Sequence, residues 1–296
     1  MTGSGVLVID KPGGMTSHDV VGRVRRVLGT RKVGHAGTLD PMATGVLIVG
    51  VERATRLLGH LALRDKRYRA SIRLGASTLT DDVEGDVLAT ADPHRLARVG
   101  DAAIIAALAR MTGTLEQRPS SVSAVKVEGR RAYDRVRSGE AVHLPPRTVV
   151  ISRLDCLAIS RTPDAVDVDV DVECSTGTYV RAIARDLGDG LGVGGHLTRL
   201  RRTRVGPFDE SGAIGLEALV EAGESAIVPM PALAASCFPR WTLDAEEAAA
   251  ARVGRRVAWR GPSGVDGPVA LVDASGEFLA LASDDAGAAR YLAVFA

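Results

Sequence analysis

The 296-residue chain is 46% hydrophobic, 25% charged and 3% aromatic, with a net charge of +1. That balance excludes a disordered chain, and no apolar run approaches the ~18 residues of a transmembrane helix. Cys156, Cys174 and Cys237 form no CxxC pair, and Met1-Thr2-Gly3-Ser4-Gly5 lacks the basic start of a signal peptide, so the expected compartment is the cytoplasm, with no disulfide framework and no zinc site.

Residues 5–10 read as a buried strand, and Lys11-Pro12-Gly13-Gly14 as a turn. Ser17 is expected to cap a helix in which Val20, Val21, Val24, Val27 and Leu28 follow the helical period up to Gly29. Arg23, Arg25 and Arg26 fall on its other face. A Gly/Thr-rich loop is expected over 31–44, a buried strand over 45–51 and a short helix over 53–63. Strict alternation over 68–74 predicts a half-buried strand with Tyr68, Ala70, Ile72 and Leu74 inward. A helix should run from Asp101 to Met111. Residues 116–147, rich in Arg and Pro, read as a long exposed loop with a short helix near 131–138. Residues 166–173 alternate Val with Asp or Glu and predict a strand. A Ser-Thr-Gly-Thr turn then leads into a helix ending near Leu187-Gly188, followed by a basic strand over 197–205. An acidic linker with a helix covers 205–235. From Phe238 onward an Ala-rich helix (244–253) and short strands between Gly/Pro turns suggest a small β-rich module. The expected domains are 1–232, with the exposed loop, and 233–296. Helices and strands do not alternate regularly, which favours a mixed α+β sheet over a doubly wound one.

Charge is unevenly distributed. Residues 1–69 carry 12 Lys/Arg against 5 Asp/Glu, residues 126–147 carry 6 against 3, and residues 181–204 carry 6 against 2. Acidic stretches at 74–125, 148–180 and 205–232 separate these blocks. One basic block would be an ordinary solvated surface. Three, one of them with Arg199, Arg201, Arg202 and Arg204 within six residues, favour a polyanionic partner.

The densest chemical candidate is the stretch Gly34-His35-Ala36-Gly37-Thr38-Leu39-Asp40-Pro41-Met42-Ala43-Thr44-Gly45. It sets a carboxylate and an imidazole among glycines that let backbone approach a ligand. The plainer reading is an aspartate capping its own Asp-Pro turn. No GxxxxGK[ST] or GxGxxG motif supports a nucleotide-phosphate site.

GHAGTLDPMATGVLIVG resembles the signature of the TruB family of pseudouridine synthases. VIDKPGGMTSHDVV, KRYRASIRLG, CSTGTYVRAIARDLG and GGHLTRLRRTRVGPF resemble further motifs of that family, in the same order, over about residues 5–210. The resemblance implies a pseudouridine synthase fold with a largely antiparallel central sheet, and formation of pseudouridine at position 55 in the T loop of tRNA. It implies that Asp40 is the catalytic carboxylate, that Tyr68 packs on the flipped base, and that Arg181 pairs with Asp40. Tyr179 would touch substrate, Leu200 would wall the base pocket, and His35 would fill the space that the flipped base leaves. Residues 238–296 are similar in position and texture to the family's PUA-type RNA-binding module. No cofactor or metal is implied, the partner is the T arm of tRNA, no membrane is involved, and nothing demands more than a monomer. On an unbroken helix Tyr179 and Arg181 would diverge by ~200°, so they share a face only if that segment is extended.

Two rivals differ in class. A catalytically silent RNA-binding or tRNA-folding protein would not need Asp40, Tyr68 and Arg181 together. A glycosidase would need a second carboxylate in a comparable motif, and the sequence offers none.

Overall fold

Val- and Ile-rich runs form the strands, and the segments with a 3.6-residue apolar period form the helices. A computed structural model describes residues 2–120, 126–127, 130–131, 145–265 and 267–295. In chain order the elements used below are β1 (Gly5–Lys11), α1 (Ser17–Leu28), β2 (Val33–Ala36), β3 (Thr44–Val51), β4 (Lys66–Leu74), α2 (Asp101–Arg110), β5 (Gly113–Gln117), β6 (Arg147–Arg161), β7 (Val166–Cys174), α3 (Val180–Leu191), β8 (Gly195–Val205), β9 (Arg240–Thr242), α4 (Ala245–Arg252), β10 (Val269–Val272), β11 (Phe278–Asp285) and β12 (Ala288–Val294). The α+β expectation holds. Among the described residues no helix is long and apolar enough to cross a membrane.

The chain divides into two units. The first comprises Met1–Asp40, Val46–Ala62 and Gly206–Ala296. In it β1 pairs in parallel with Ile214–Gly215 and antiparallel with Val228–Pro229, and β2 pairs antiparallel with β3. Helix α1 buries Val20, Val21, Val24 and Leu28, and ends at Gly29 in the left-handed conformation (φ 63°). Its cap is Thr16 rather than Ser17. Thr16 and Asp19 form a reciprocal capping box, in which the Thr16 hydroxyl accepts from Asp19 N at 3.1 Å and Thr16 N donates to Asp19 Oδ2 at 2.9 Å. The expected loop over 31–44 contains strand β2.

The C-terminal part of this unit holds the parallel pair β9–β10 and the antiparallel run β10–β11–β12. Trp241, Leu243, Ala251, Leu271 and Leu279 are among the side chains of its own apolar core, with Trp241 edge-on to Trp259 at 5.1 Å. Arg53 Nη1 donates to the Phe295 carbonyl, and Arg56 Nη1 to the Val294 carbonyl at 2.7 Å.

The second unit comprises Pro41–Gly45 and Leu63–Val205. Its strands run in the order β8–β4–β7–β6–β5, all antiparallel, while the start of β3 pairs in parallel with β8 through Thr44 and Gly45. Gly45 sits at φ 99°, and a Cβ there would lie 2.2 Å from the Arg202 carbonyl oxygen, so only glycine fits. On β7 the valines face the core and the acids take the opposite face, where Asp171 is buried. Asp167 accepts a two-pronged contact from Arg73, Asp171 accepts from Arg67 and Arg153, and Glu173 accepts from Arg204. The acidic stretch thus lies on Arg67 and Arg204 of the basic blocks, as well as on Arg73 and Arg153 outside them, and Arg202 is 1% exposed. The cationic run in 199–204 is therefore not a uniform surface patch.

Further differences from the sequence reading are strand β5, which runs into the expected loop 116–147, strand β6 and the end of α3. Strand β6 was not anticipated, because bulges at Ile151/Arg153 and Cys156/Ala158 break its alternation. Helix α3 continues past Gly188 to Leu191. Gly188 is required by packing, since a Cβ there would lie 2.1 Å from Gly195 N. In the expected loop 116–147, Lys126–Val127 pair with Arg130–Arg131, and residues 121–125, 128–129 and 132–144, with the expected helix near 131–138, lie outside the described residues.

Candidate active site

In the first unit, Asp40 follows β2 and is half-buried. Leu39, immediately before it, is bonded on both backbone groups to one side chain. Ser17 Oγ accepts from Leu39 N at 3.0 Å and donates to Leu39 O at 3.2 Å. His35 lies on β2, its ring edge-on to that of His18 with centroids 5.3 Å apart.

In the second unit, Tyr68 and Leu200 come to one face by strand register. Leu200 pairs with Ala70 and Arg202 with Tyr68, so Tyr68 and Leu200 are diagonal neighbours on adjacent strands. Both are buried, each 6% exposed. Lys66 opens the same strand on the same face, and its Nζ donates to the Arg64 carbonyl at 2.6 Å. Burial, assisted by the neighbouring Arg202 charge, pulls the Lys66 ammonium down to about 8.

Tyr179 is the N-cap of α3 with extended backbone (φ −103°, ψ 107°), and Arg181 lies two residues on, inside the helix. The chain is therefore extended at Tyr179 and helical at Arg181. The Gln117 side chain holds the Tyr179 backbone from both sides: Oε1 accepts from Tyr179 N at 2.8 Å, and Nε2 donates to Tyr179 O at 3.1 Å. Arg181 is buried, which excludes a surface role. Its Nη1 donates to the Thr80 carbonyl at 2.8 Å and stands 3.3 Å from Asp82 Oδ2. The same turn reaches β8, because Leu197 N donates to the Asp81 carbonyl at 3.0 Å. Burial pushes the Asp81 carboxyl up, opposed by the Ser120 hydroxyl and Arg185.

A cavity of about 630 Å³ opens in this unit, within the size range of small-ligand sites. Met42 and Thr44 line it from the segment after Asp40, together with Arg69, Leu157, Leu200 and Arg201. Apolar walls with guanidinium groups suit a base and its phosphates. Of the six expected residues, Leu200 forms part of this wall.

Sequence reasoning missed Ser17 in its actual role, as well as Gln117 and Asp82. The Asp81-Asp82 pair stands in a turn where Asp82 Oδ1 accepts from Thr80 Oγ1 and Glu84 N, and its ionic partner Arg181 comes from 99 residues later.

The model of the TruB family pseudouridylate synthase N-terminal domain matches residues 25–180. That of the tRNA pseudouridylate synthase B C-terminal domain matches 181–228, and that of the tRNA pseudouridine synthase II C-terminus matches 238–296. A tRNA pseudouridine synthase B of Cutibacterium acnes is 57% identical over 282 residues, covering 95% of this chain and 94% of its own length. One of Leifsonia xyli subsp. xyli is 51% identical over 298 residues, covering 100% and 97%. A structure of an H/ACA RNP bound to a substrate RNA containing 2′-deoxyuridine superposes with a TM-score of 0.74 at 28% identity, covering 99% of this chain and 85% of that one. The expected fold is thus shared with that structure, and with family models spanning nearly the whole sequence the chain belongs to the TruB family of pseudouridine synthases.

Proposed function

We propose that this protein isomerises uridine to pseudouridine in tRNA, at position 55 of the T loop. The observation that carries the reading is the unbroken order of the three family matches in a chain that retains Asp40, Tyr68 and Arg181 at the motif positions.

The reaction breaks the C1′–N1 bond, turns the uracil and joins C5 to C1′; the C5 proton leaves and N1 gains one. Asp40 acts at the ribose side, by adding to C1′ or by taking a neighbouring ribose proton, and either role needs the ionised carboxylate. Arg181 supplies a charge that favours that form. Tyr68 and Leu200 wall the base, Tyr179 contacts substrate, and His35 occupies the space vacated in the T loop. Extruding a stacked base costs a few kcal/mol, which phosphate contacts to exposed arginines offset. Residues 1–232 carry the chemistry, and 233–296 form a PUA-like module that grips RNA.

The test is to incubate unmodified tRNA transcript with purified protein and map pseudouridine by carbodiimide-based sequencing, with Asp40→Asn as the partner measurement. The amide keeps the size and loses the charge. Loss of a protease nucleophile lowers turnover by roughly 10⁶, so Asp40→Asn should form no detectable product while still binding tRNA. Substantial activity in a rigorously pure Asp40→Asn preparation would reject the assignment.

A further inference from the structure

Ser17 stands in the first turn of α1, where a serine hydroxyl ordinarily serves the helix's own N–H groups. Here that work is done one residue earlier by the Thr16–Asp19 box. The Ser17 hydroxyl, 1% exposed, is directed instead to a residue 22 positions away in sequence. It makes both available bonds to Leu39, accepting from N and donating to O, as a paired strand residue would.

These two bonds act on different peptide planes. Leu39 N belongs to the plane joining Thr38 to Leu39, and Leu39 O to the plane joining Leu39 to Asp40. One side chain thus fixes two consecutive planes, the second of which carries the Asp40 amide. On the other side Pro41 confines Asp40 to extended backbone, because its ring clashes with a helical preceding residue. Asp40 therefore sits between a pinned peptide and a restricted one. The next residue of the same helical turn, His18, sets its ring against His35 at the other end of the loop.

We propose that Ser17 is a positioning residue for Asp40, acting through its two hydrogen bonds to the Leu39 backbone. This rests on Asp40 being the catalytic carboxylate. Reactive groups must be held close to their productive geometry, and a misplacement of about 1 Å can cost ~10²-fold in rate.

The experiment compares Ser17→Ala, Ser17→Thr, Thr16→Ala and Asp40→Asn in the full-length protein with unmodified tRNA. Three quantities are read: the single-turnover rate of pseudouridine formation, Kd for tRNA, and Tm. Ser17→Ala should lower the rate at least ~10-fold with Kd within about threefold, the split expected when only the reactive geometry is lost. Ser17→Thr, which keeps the hydroxyl, should recover most of the rate. Thr16→Ala removes the cap and should lower Tm without the rate loss, so a merely structural role of this turn is read separately. If Ser17→Ala does not fold, Ser17→Cys takes its place, since a thiol of similar size is only a weak hydrogen-bonding group; a wild-type rate in that variant would overturn the proposal. A wild-type rate in Ser17→Ala while Asp40→Asn is inactive would overturn it and leave the function standing. An active Asp40→Asn would instead remove the reading on which it rests.

Discussion

Arg181 and Asp82 form a buried ion pair at 3.3 Å, with side chains 7% and 3% exposed. The same guanidinium nitrogen also donates to the Thr80 carbonyl, so these two contacts fix the orientation of Arg181. Breaking a buried pair by removing one partner costs up to about 3–5 kcal/mol, and Asp82 is one of the groups that compensate the Arg181 guanidinium. Asp82→Ala should therefore lower Tm sharply in thermal unfolding. Arg181→Lys keeps the charge but loses the planar fork. Its turnover should fall at least ~10-fold, equivalent to about 1.4 kcal/mol of transition-state stabilisation. Unchanged turnover would show that the geometry of this arginine is dispensable.

Lys66 offers a test by pH. Its ammonium is pulled down to about 8 in the folded protein, whereas the unfolded chain titrates near 10.5. Below pH 8 both states are charged and the folded state bears the full burial penalty. Between pH 8 and 10.5 the folded state gives up its proton while the unfolded state keeps it, so the unfolded state binds more protons and stability rises with pH. The stability of Lys66→Met minus that of wild type should shrink steadily over this window in denaturant titrations. A difference that does not vary with pH would mean that Lys66 is not desolvated.

Salt dependence tests the basic surface. Arg67, Arg73, Arg153 and Arg204 are occupied by carboxylates, whereas Arg23, Arg25 and Arg26 lie on the exposed face of α1. With about five phosphate contacts in all, tRNA affinity should fall roughly 100-fold between 50 and 200 mM salt. Filter binding over that range decides it, and a nearly flat response would make the basic blocks solvated surface.

Deletion of 238–296 separates chemistry from grip. That segment carries 6 Lys/Arg against 8 Asp/Glu, so its RNA contacts should be few and local. A folded 1–235 fragment should show a raised KM on whole tRNA with kcat within a few-fold, and a smaller change on a T-arm hairpin. Circular dichroism must come first, because the deletion strips Arg53 and Arg56 of the carbonyls they bind. Equal KM changes on the two RNAs would leave the segment a structural prop.

Sequence reading succeeded where local pattern and tertiary environment agree. The apolar period of α1 and the Val/Asp alternation of β7 each state which side is buried. It failed where a distant partner decides. Ser17 can cap α1, yet its hydroxyl is taken by the backbone of Leu39, 22 residues on. Gly188 resembles a helix stop, yet its missing side chain admits the backbone of β8. The Asp40 loop was legible from its glycines and its Asp-Pro step. The groups bound to Leu39, Tyr179 and Arg181, namely Ser17, Gln117 and Asp82, were not, because each acts on a residue between 22 and 99 positions away.

The division of the chain into a contiguous and a discontinuous unit also bears on synthesis. The second unit lies almost wholly within 63–205, whereas the first needs residues on both sides of that stretch. During translation β1 is followed closely by its neighbour β3 but meets Ile214 and Val228 only when the ribosome has passed them. At 5–20 residues per second, that wait lasts on the order of ten seconds or more. β1 can therefore meet its neighbour β3 early, whereas its pairings with 214–215 and 228–229 wait for the unit made in the middle, and until then the nascent chain must keep those backbone groups from other partners.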